Sequence, residues 1–263
     1  MNINNKTLWI TGASSGIGEA LAFECARQGA KLILSARSEE KLQLLKKQLV
    51  NSGWHTVLPL DLSKPENLAA KVEATIESHT IDILINNGGI SQRGTARNTN
   101  LSVQRQVMEV NYFGTIALTQ CVLPKMLAAK TGMIVTVSSV AGKVGGQSMS
   151  GYSASKHAII GYMDCLRAEE SCNGLQVLTI CPGFVQTNIS VNAMTEDGQS
   201  YGRVAKSIKE GIGVAECAEK IINAIKANKS EVIIGKGLSY WAPTIYRFFP
   251  SLFRKITAAK NIR

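Results

Sequence analysis

A glycine-rich turn, Thr11-Gly12-Ala13-Ser14-Ser15-Gly16-Ile17-Gly18, directly follows an apolar run from Lys6 to Ile10 and opens a helical pattern at residue 16. A strand, a glycine turn and a helix N-terminus together form a cradle for phosphate. Glycines let the backbone approach a ligand closely, and the first N–H groups of a helix have no partner within it. The position of this turn, at the first strand–helix junction, predicts an α/β fold and a phosphate-bearing ligand.

Short apolar runs alternate with longer helical patterns along the 263 residues. Such alternation indicates a parallel sheet with helices on both faces. We therefore expect a single-domain α/β fold whose doubly wound parallel sheet has about seven strands. Ser38 and Thr99 are expected to cap two helices, and Pro65 to lie in a first helical turn. The predicted strands are 6–10, 31–35, 54–60, 81–85, 132–137, 175–181 and 231–234, and the predicted helices are 16–28, 38–51, 65–79, 99–129, 151–172 and 213–228.

Composition is that of an ordinary globular protein, with 45% hydrophobic and 18% charged residues. The six cysteines are scattered and the three histidines lack metal-ligand spacing. We therefore expect no metal and a cytoplasmic location. The net charge of +10 does not indicate nucleic-acid binding, because most of it comes from the basic residues that follow Glu231.

A colinear series of motifs extends the pattern of the glycine turn through most of the chain. It resembles the short-chain dehydrogenase/reductase family, and in particular its member 7 and 11β-hydroxysteroid dehydrogenase-like branch, through Asn86–Arg93 and Gly151–His157. The resemblance implies a Rossmann fold, a nicotinamide cofactor and a homodimer or homotetramer. The matching motifs are Gly12-x-x-x-Gly16-x-Gly18, Asp61-Leu62, Asn86-Asn87-Gly88-Gly89, Asn111, Ser139, Tyr152-x-x-x-Lys156 and Pro182-Gly183.

The resemblance also assigns roles within the cofactor site. It places Asp61 and Leu62 beside the adenine and Asn87 with Gly88 at the adenosine ribose, although the family commonly has alanine where this chain has Gly88. The complete predicted cofactor set is Gly12, Ser14, Ser15, Gly16, Ile17, Gly18, Arg37, Asp61, Leu62, Asn87, Gly88, Tyr152, Lys156, Pro182, Gly183, Val185 and Thr187.

The end of the second strand favours NADP(H) over NAD(H). An acidic residue there would accept hydrogen bonds from the ribose 2′-hydroxyl and repel a 2′-phosphate. Ala36 and Arg37 occupy this corner instead, and a guanidinium pairs well with phosphate. The alternative is that Arg37 is a solvated residue ahead of a helix.

The expected catalytic residues centre on Tyr152 and Lys156, whose spacing places both on one face of a helix. A tyrosine with the ordinary pKa of about 10 exchanges protons poorly near neutrality, and an adjacent ammonium would stabilise its phenolate. Ser139, at the end of a strand, can hydrogen-bond the substrate oxygen. It is chosen over Ser138 because its spacing to Tyr152 matches the family. The resemblance adds Asn111 as a residue that positions a water beside the lysine.

Two segments lie outside these motifs. The stretch at about 184–213 is expected to be a substrate loop, either a mobile lid or a plain surface insertion. Residues 1–237 would form the catalytic domain and residues 238–263 a basic amphipathic tail, in which Pro243 would begin a helix and Pro250 would interrupt it. The basic residues after Glu231 are Lys236, Arg247, Arg254, Lys255, Lys260 and Arg263.

The tail leaves two interpretations open. Its apolar stripe could pack on the body or on a partner subunit, or the segment could lie on an anionic membrane surface. The chain lacks the long N-terminal anchor of the branch it resembles, so a soluble or peripherally membrane-associated protein is expected. The stripe comprises Leu238, Trp241, Ile245, Phe248, Phe249, Leu252 and Ile256.

The sequence thus predicts an NADP(H)-dependent oxidoreductase that transfers hydride to or from a carbonyl or secondary alcohol. The alternative is a catalytically silent NADPH-binding regulator. The glycine spacing disfavours a sugar-nucleotide epimerase, and the short tyrosine–lysine spacing disfavours an enoyl reductase. An apolar substrate is expected from a pocket of Val144, Met149, Phe184, Ile189, Val191 and Met194.

Overall fold

The computed structural model describes residues 1–259, so Lys260 and Arg263 of the predicted tail lie outside the described residues. Seven parallel strands form one sheet. They are β1 (Thr7–Thr11), β2 (Lys31–Ser35), β3 (Thr56–Val57), β4 (Ile83–Asn86), β5 (Gly132–Val137), β6 (Leu175–Pro182) and β7 (Glu231–Ile234). Their order is β3-β2-β1-β4-β5-β6-β7, which confirms the doubly wound architecture.

Helices cover both faces of the sheet. The principal helices are α1 (Gly16–Arg27), α2 (Glu39–Gln48), α3 (Leu68–Ser78), α4 (Leu101–Met108), α5 (Gly114–Ala128), α6 (Ser150–Glu170), α7 (Lys206–Lys209) and α8 (Val214–Lys226). One apolar core joins the sheet to α1, α2 and α8, and another joins it to α3, α5 and α6. Leu8 and Ile10 of β1 enter the first core and Trp9 enters the second, as the alternation of side chains along a strand requires.

Several boundaries differ from the predictions. The predicted strand 54–60 shrinks to Thr56–Val57, because β3 is the outermost strand and pairs only with β2 among the described residues. Ser38 caps α2 by accepting a hydrogen bond from the Lys41 backbone. The Thr99 cap is wrong: Asn100 holds the cap position of α4, and the buried Thr99 hydroxyl instead donates to the Thr95 carbonyl oxygen. Pro65 lies in a short 3₁₀ turn just before α3.

The tail forms two helices, α9 (Gly237–Phe248) and α10 (Pro250–Ala259). Pro243 lies inside α9 rather than at its start, whereas Pro250 begins α10 and so separates the two helices as expected. Ala242 and Phe253 are buried against Val140 and Val144. Of the predicted apolar stripe, Ile245 packs partly buried against this cluster, whereas Leu238, Trp241, Phe248, Phe249 and Leu252 are exposed. None of the helices within residues 1–259 is both long and apolar enough to cross a bilayer.

A close approach between α5 and the segment after β3 supplies a test of the packing. A Cβ atom on Gly114 would lie 2.1 Å from the Leu62 carbonyl oxygen, whereas one on Gly161, in α6, would meet no atom within 4 Å. We expect Gly114→Ala to lower the free energy of unfolding by about 2 kcal/mol or more through overpacking. Gly161→Ala, a matched change on an exposed helix face, should raise it by up to about 1 kcal/mol. Urea unfolding measures both, and equal effects would contradict the packing described here.

Candidate active site

The loops that follow β1 and β4 meet where the chain reverses its direction across the sheet. Such a switch point opens a crevice at the carboxyl edge of a parallel sheet. The Thr11 hydroxyl accepts hydrogen bonds from the backbone N–H groups of Asn87 (3.0 Å) and Gly88 (2.9 Å). The Asn87 amide in turn donates to the Thr11 carbonyl oxygen at 3.0 Å. These bonds fix the two loops to each other and shape the floor of the crevice.

A cavity of about 670 Å³, here called the glycine-turn cavity, lies over this junction. It brings together eleven of the predicted cofactor residues from five separate segments. Gly18 does not line it, because this glycine is buried and a Cβ there would lie 2.3 Å from the Gly12 carbonyl oxygen. Gly18 is therefore needed for the close packing of the turn against the start of α1. The predicted residues that line the cavity are Gly12, Ser14, Ser15, Gly16, Ile17, Arg37, Asp61, Leu62, Asn87, Gly88 and Thr187.

The local structure of the turn fits a phosphate-bearing ligand. Ser15 occupies the N-cap position of α1, but its side chain makes no capping hydrogen bond, so it does not satisfy the free N–H groups of the first helical turn. Gly12 has a φ of +64°, and a Cβ there would lie 2.8 Å from the Gly88 Cα. Only glycine suits both that conformation and that spacing. The residues present thus fit a dinucleotide whose diphosphate lies on the α1 N-terminus.

The corner after β2 is basic. Arg37 is exposed and lines the glycine-turn cavity, as do Ser38 and Lys41. Across the cavity, burial tends to raise the pKa of Asp61. Hydrogen bonds from the Ser63 backbone and hydroxyl outweigh this, and with the nearby charge of Arg37 they hold that pKa below its ordinary value. Sequence reasoning missed Lys41, although its spacing of four residues from Arg37 was a usable sign.

A second cavity, here called the tyrosine cavity, has a volume of about 830 Å³ and shares Ile17, Asn87 and Thr187 with the first. Tyr152 and Lys156 line it from the first turns of α6. Lys156 is only 5% exposed, its Nζ donates to the Val137 carbonyl oxygen at 2.9 Å, and this atom lies 5.8 Å from the centre of the Tyr152 ring. The predicted pair thus lies together in the tyrosine cavity, and a Cβ on Gly89, which lines both cavities, would lie 3.6 Å from the Lys156 Nζ. Ser139, Pro182, Gly183 and Val185 also line the tyrosine cavity.

The electrostatics of the pair differ from the sequence expectation. Burial raises the pKa of Tyr152, although the Ser139 hydroxyl and the charge of Arg93 partly counteract it. Burial also lowers the pKa of Lys156, to about 8. The expected net stabilisation of the phenolate is absent in the protein alone, because desolvation outweighs the favourable charges. Tyr152 is a neutral phenol near pH 7.

The two serines at the end of β5 both line the tyrosine cavity, but they make different hydrogen bonds. The buried Ser138 hydroxyl donates to the Lys156 carbonyl oxygen at 3.0 Å, so it braces α6. The Ser139 hydroxyl donates to the Pro182 carbonyl oxygen at 3.3 Å and is the one that acts on the pKa of Tyr152. Ser139 is therefore the serine that accompanies the tyrosine in this cavity.

Asn111 lies in neither cavity wall. It is buried in a π-helical turn, Glu109–Phe113, between α4 and α5. Its amide oxygen accepts from the Ile90 N–H at 2.8 Å, and its amide nitrogen donates to the Ile90 carbonyl oxygen and to the Ser155 hydroxyl. A Cβ on Gly89 would lie 3.0 Å from the Asn111 Oδ1 and 3.6 Å from the Lys156 Nζ. Asn111 and Lys156 thus flank one glycine, and the widened helical turn explains how a mid-helix asparagine reaches this position.

Apolar side chains line much of the tyrosine cavity. Val144, Met149, Phe184 and Ile189 do so as predicted, whereas Val191 and Met194 do not. The Met194 backbone pairs instead with Ser91 and Arg93. The tail helices also contribute to the wall, a contact that the sequence analysis does not predict. The larger apolar lining residues from this part of the chain are Leu238, Ala242, Phe253 and Ile256.

Comparisons with known proteins agree with this architecture. The family described as short chain dehydrogenase matches residues 6–198. A dehydrogenase/reductase SDR family protein 7-like of Anopheles gambiae is 42% identical, with 93% of this chain and 82% of that protein covered. Dehydrogenase/reductase SDR family member 7B of Mus musculus is 39% identical, with 98% and 82% covered.

Solved structures share the fold. A short chain dehydrogenase from Burkholderia cenocepacia, in complex with NADP, superposes with a TM-score of 0.81 at 23% identity, covering 98% of this chain and 99% of that one. A short-chain dehydrogenase from Sphingobium yanoikuyae, in complex with NADPH, gives a TM-score of 0.77 at 28% identity, covering 98% and 96%. On the family match and the similarity to these relatives, the chain belongs to the short-chain dehydrogenase/reductase family.

Proposed function

We propose that this protein is an NADP(H)-dependent oxidoreductase that interconverts a ketone or aldehyde and an alcohol on an apolar substrate, with Tyr152 as the proton donor. The observation that carries this proposal is that Tyr152 and Lys156 line the tyrosine cavity and that Lys156 lies close to Gly89, which lines both this cavity and the glycine-turn cavity. A dinucleotide laid along the first cavity would bring its reactive ring to the entrance of the second. When bound, the cofactor supplies the hydride.

The residues of the chain divide the remaining work. Ser139 hydrogen-bonds the substrate oxygen while negative charge develops on it. Tyr152, kept neutral by burial, is in the protonation state needed to give that oxygen its proton, which favours reduction. The Lys156 ammonium group lies beside Tyr152, and its lowered pKa lets it exchange protons near neutrality. Asn111 acts as a positioning residue for the loop at Ile90 and Gly89.

NADP(H) rather than NAD(H) is proposed from the basic corner after β2. Arg37 and Lys41 line the cavity where a ribose 2′-phosphate would lie, and a guanidinium can hold phosphate with two hydrogen bonds. One solved relative at 28% identity was crystallised with NADPH.

Replacing the basic corner tests the cofactor. Arg37→Asp should weaken NADPH binding at least about tenfold and leave NADH binding within about threefold, because it removes a charge-assisted hydrogen bond that only NADPH makes. Fluorescence titration with each cofactor measures this. Arg27→Asp, on an exposed position of α1 outside both cavities, is the control. Equal weakening of both cofactors by Arg37→Asp would refute the assignment.

The proton donor is tested with Tyr152→Phe, which removes only the hydroxyl. We expect NADPH to bind this variant with wild-type affinity, while ketone reduction falls at least about a hundredfold. NADPH oxidation at 340 nm across a panel of apolar ketones and aldehydes is the assay. Wild-type turnover in the variant would exclude Tyr152. Binding of NADPH by the wild type without turnover of any carbonyl would instead indicate the silent regulator.

The exposed part of the tail supports a peripheral membrane contact, which we also propose. Trp241, Phe248 and Phe249 are 56%, 66% and 63% exposed, and Arg247 and Arg254 lie among them. Exposed aromatics beside basic residues are typical of segments that bind anionic bilayer surfaces. Such a contact would place the tail wall of the tyrosine cavity next to apolar molecules.

Vesicle flotation tests this contact in the full-length protein. Replacing Trp241, Phe248 and Phe249 together by serine should abolish flotation with phosphatidylserine-containing vesicles, because the apolar side chains that enter the bilayer are lost. The matched control replaces Phe23, Trp54 and Leu101, which are exposed elsewhere on the molecule. If the wild type does not float with the vesicles, the proposal is contradicted. If the triple serine variant differs from the wild type in its sedimenting mass, the surface serves self-association instead.

A further inference from the structure

Arg93 lines the tyrosine cavity, and its guanidinium has no ion-pair partner among the described residues. Its side chain is one of the cavity's lining groups, and its Nε atom is buried and makes no hydrogen bond. No carboxylate among residues 1–259 lies within ion-pair distance of its guanidinium. A buried donor on a permanent charge is costly to leave unsatisfied. A group that is absent from the chain itself would therefore bind favourably here.

Three segments hold the backbone of Arg93 in place. Its N–H donates to the Met194 carbonyl oxygen at 2.7 Å, and the next residue, Gly94, donates to the Ser148 carbonyl oxygen at 3.0 Å. The preceding residue, Gln92, is fully buried and accepts from the Gly151 N–H at 3.2 Å. Gly151 directly precedes Tyr152. The position of Arg93 relative to the tyrosine is thus fixed by the same hydrogen bonds that anchor the start of α6.

The tyrosine cavity that Arg93 lines is largely apolar. Val144, Met149, Phe184 and Phe253 line it, and the other charged residues in its wall are Lys156, Glu210 and Lys236. A guanidinium in such a cavity discriminates between substrates, because an anionic oxygen group can satisfy it and an apolar group cannot. Arg93 also lies close enough to Tyr152 for its charge to oppose the rise in the pKa of that tyrosine that burial causes.

We propose that Arg93 determines substrate specificity by binding an anionic oxygen group, of the carboxylate type, on a substrate whose remaining part is apolar. This inference rests on the proposed oxidoreductase function and names its substrate class. The planar guanidinium matches a carboxylate with two parallel hydrogen bonds. The substrate would then lie with its carbonyl at Ser139 and Tyr152 and its acidic group toward Arg93.

The test compares oxo acids with their methyl esters, in which a neutral ester replaces the carboxylate. The probes are phenylglyoxylate, 3-benzoylpropionate and 4-benzoylbutyrate, which place the carboxylate at increasing distances from the ketone. We expect the wild type to favour at least one acid over its ester by about tenfold or more in kcat/KM. Arg93→Gln should abolish this preference, measured as the ratio of acid to ester kcat/KM within each variant, and Arg93→Lys should retain part of it. Arg97→Gln, on an exposed position outside both cavities, should behave like the wild type.

A second readout separates this inference from the proposed function. Calorimetric titration of each acid into the protein with NADP⁺ present should show binding that Arg93→Gln weakens about tenfold or more. Arg93-dependent binding without turnover would support the inference while the proposed reaction fails. Turnover of acids and esters with equal kcat/KM, or a loss in Arg93→Gln that is the same for both, would overturn the inference and leave the reaction standing. Because the acid preference is measured first in the wild type, poor folding of one variant does not remove the test.

Discussion

Lys156 is held against the carboxyl edge of the sheet by a hydrogen bond from its ammonium group to the Val137 carbonyl oxygen. This contact places a buried charge beside a phenol on the same helix face, and both groups lose solvation. The result is a lysine whose pKa falls to about 8 and a tyrosine whose pKa rises. A simple expectation from an adjacent positive charge has the opposite sign for the tyrosine, because it leaves out the cost of desolvation.

The rest of the site depends on the start of α6 being fixed. Ser138 braces the Lys156 carbonyl oxygen, Gln92 accepts from the Gly151 N–H, and Asn111 bonds to Ser155. These three contacts come from β5, from the segment after β4 and from a π-helical turn. Since the glycine turn is itself tied to Asn87 on the segment after β4, a single hydrogen-bonded network links the cofactor cradle to the tyrosine. This shared segment explains why the two cavities adjoin at Asn87 and Gly89, which line both of them.

Features with a local physical cause could be predicted from the sequence. The alternation of strands and helices gave the fold, the glycine turn gave the cradle, and the four-residue spacing gave the tyrosine–lysine pair. The choice of Ser139 over Ser138 is consistent with the structure because adjacent residues at a strand end point in different directions. Resemblance to the family, rather than residue physics, supplied Asn111 and the adenine-side residues.

Features that depend on contacts between distant segments could not be predicted. Thr99 resembles a helix cap in the sequence, but burial beside Gln92 gives its hydroxyl other partners. Packing of the tail on the body was one of its two predicted interpretations, but the sequence does not indicate that Phe253 and Ile256 would reach the wall of the tyrosine cavity. Arg93 ends the segment Asn86–Arg93 that carries the family resemblance, but the sequence predicts no role for it. It becomes notable only in the structure, where it lines the tyrosine cavity and its buried Nε makes no hydrogen bond.

The placement of the cofactor relative to the buried pair is tested most directly by a crystal structure of the protein with NADP⁺. We expect the diphosphate at the α1 N-terminus, the 2′-phosphate beside Arg37, and the nicotinamide end within hydrogen-bonding reach of both Tyr152 and Lys156. A bound dinucleotide whose nicotinamide lies outside the tyrosine cavity, with these two side chains making no contact to it, would contradict the account.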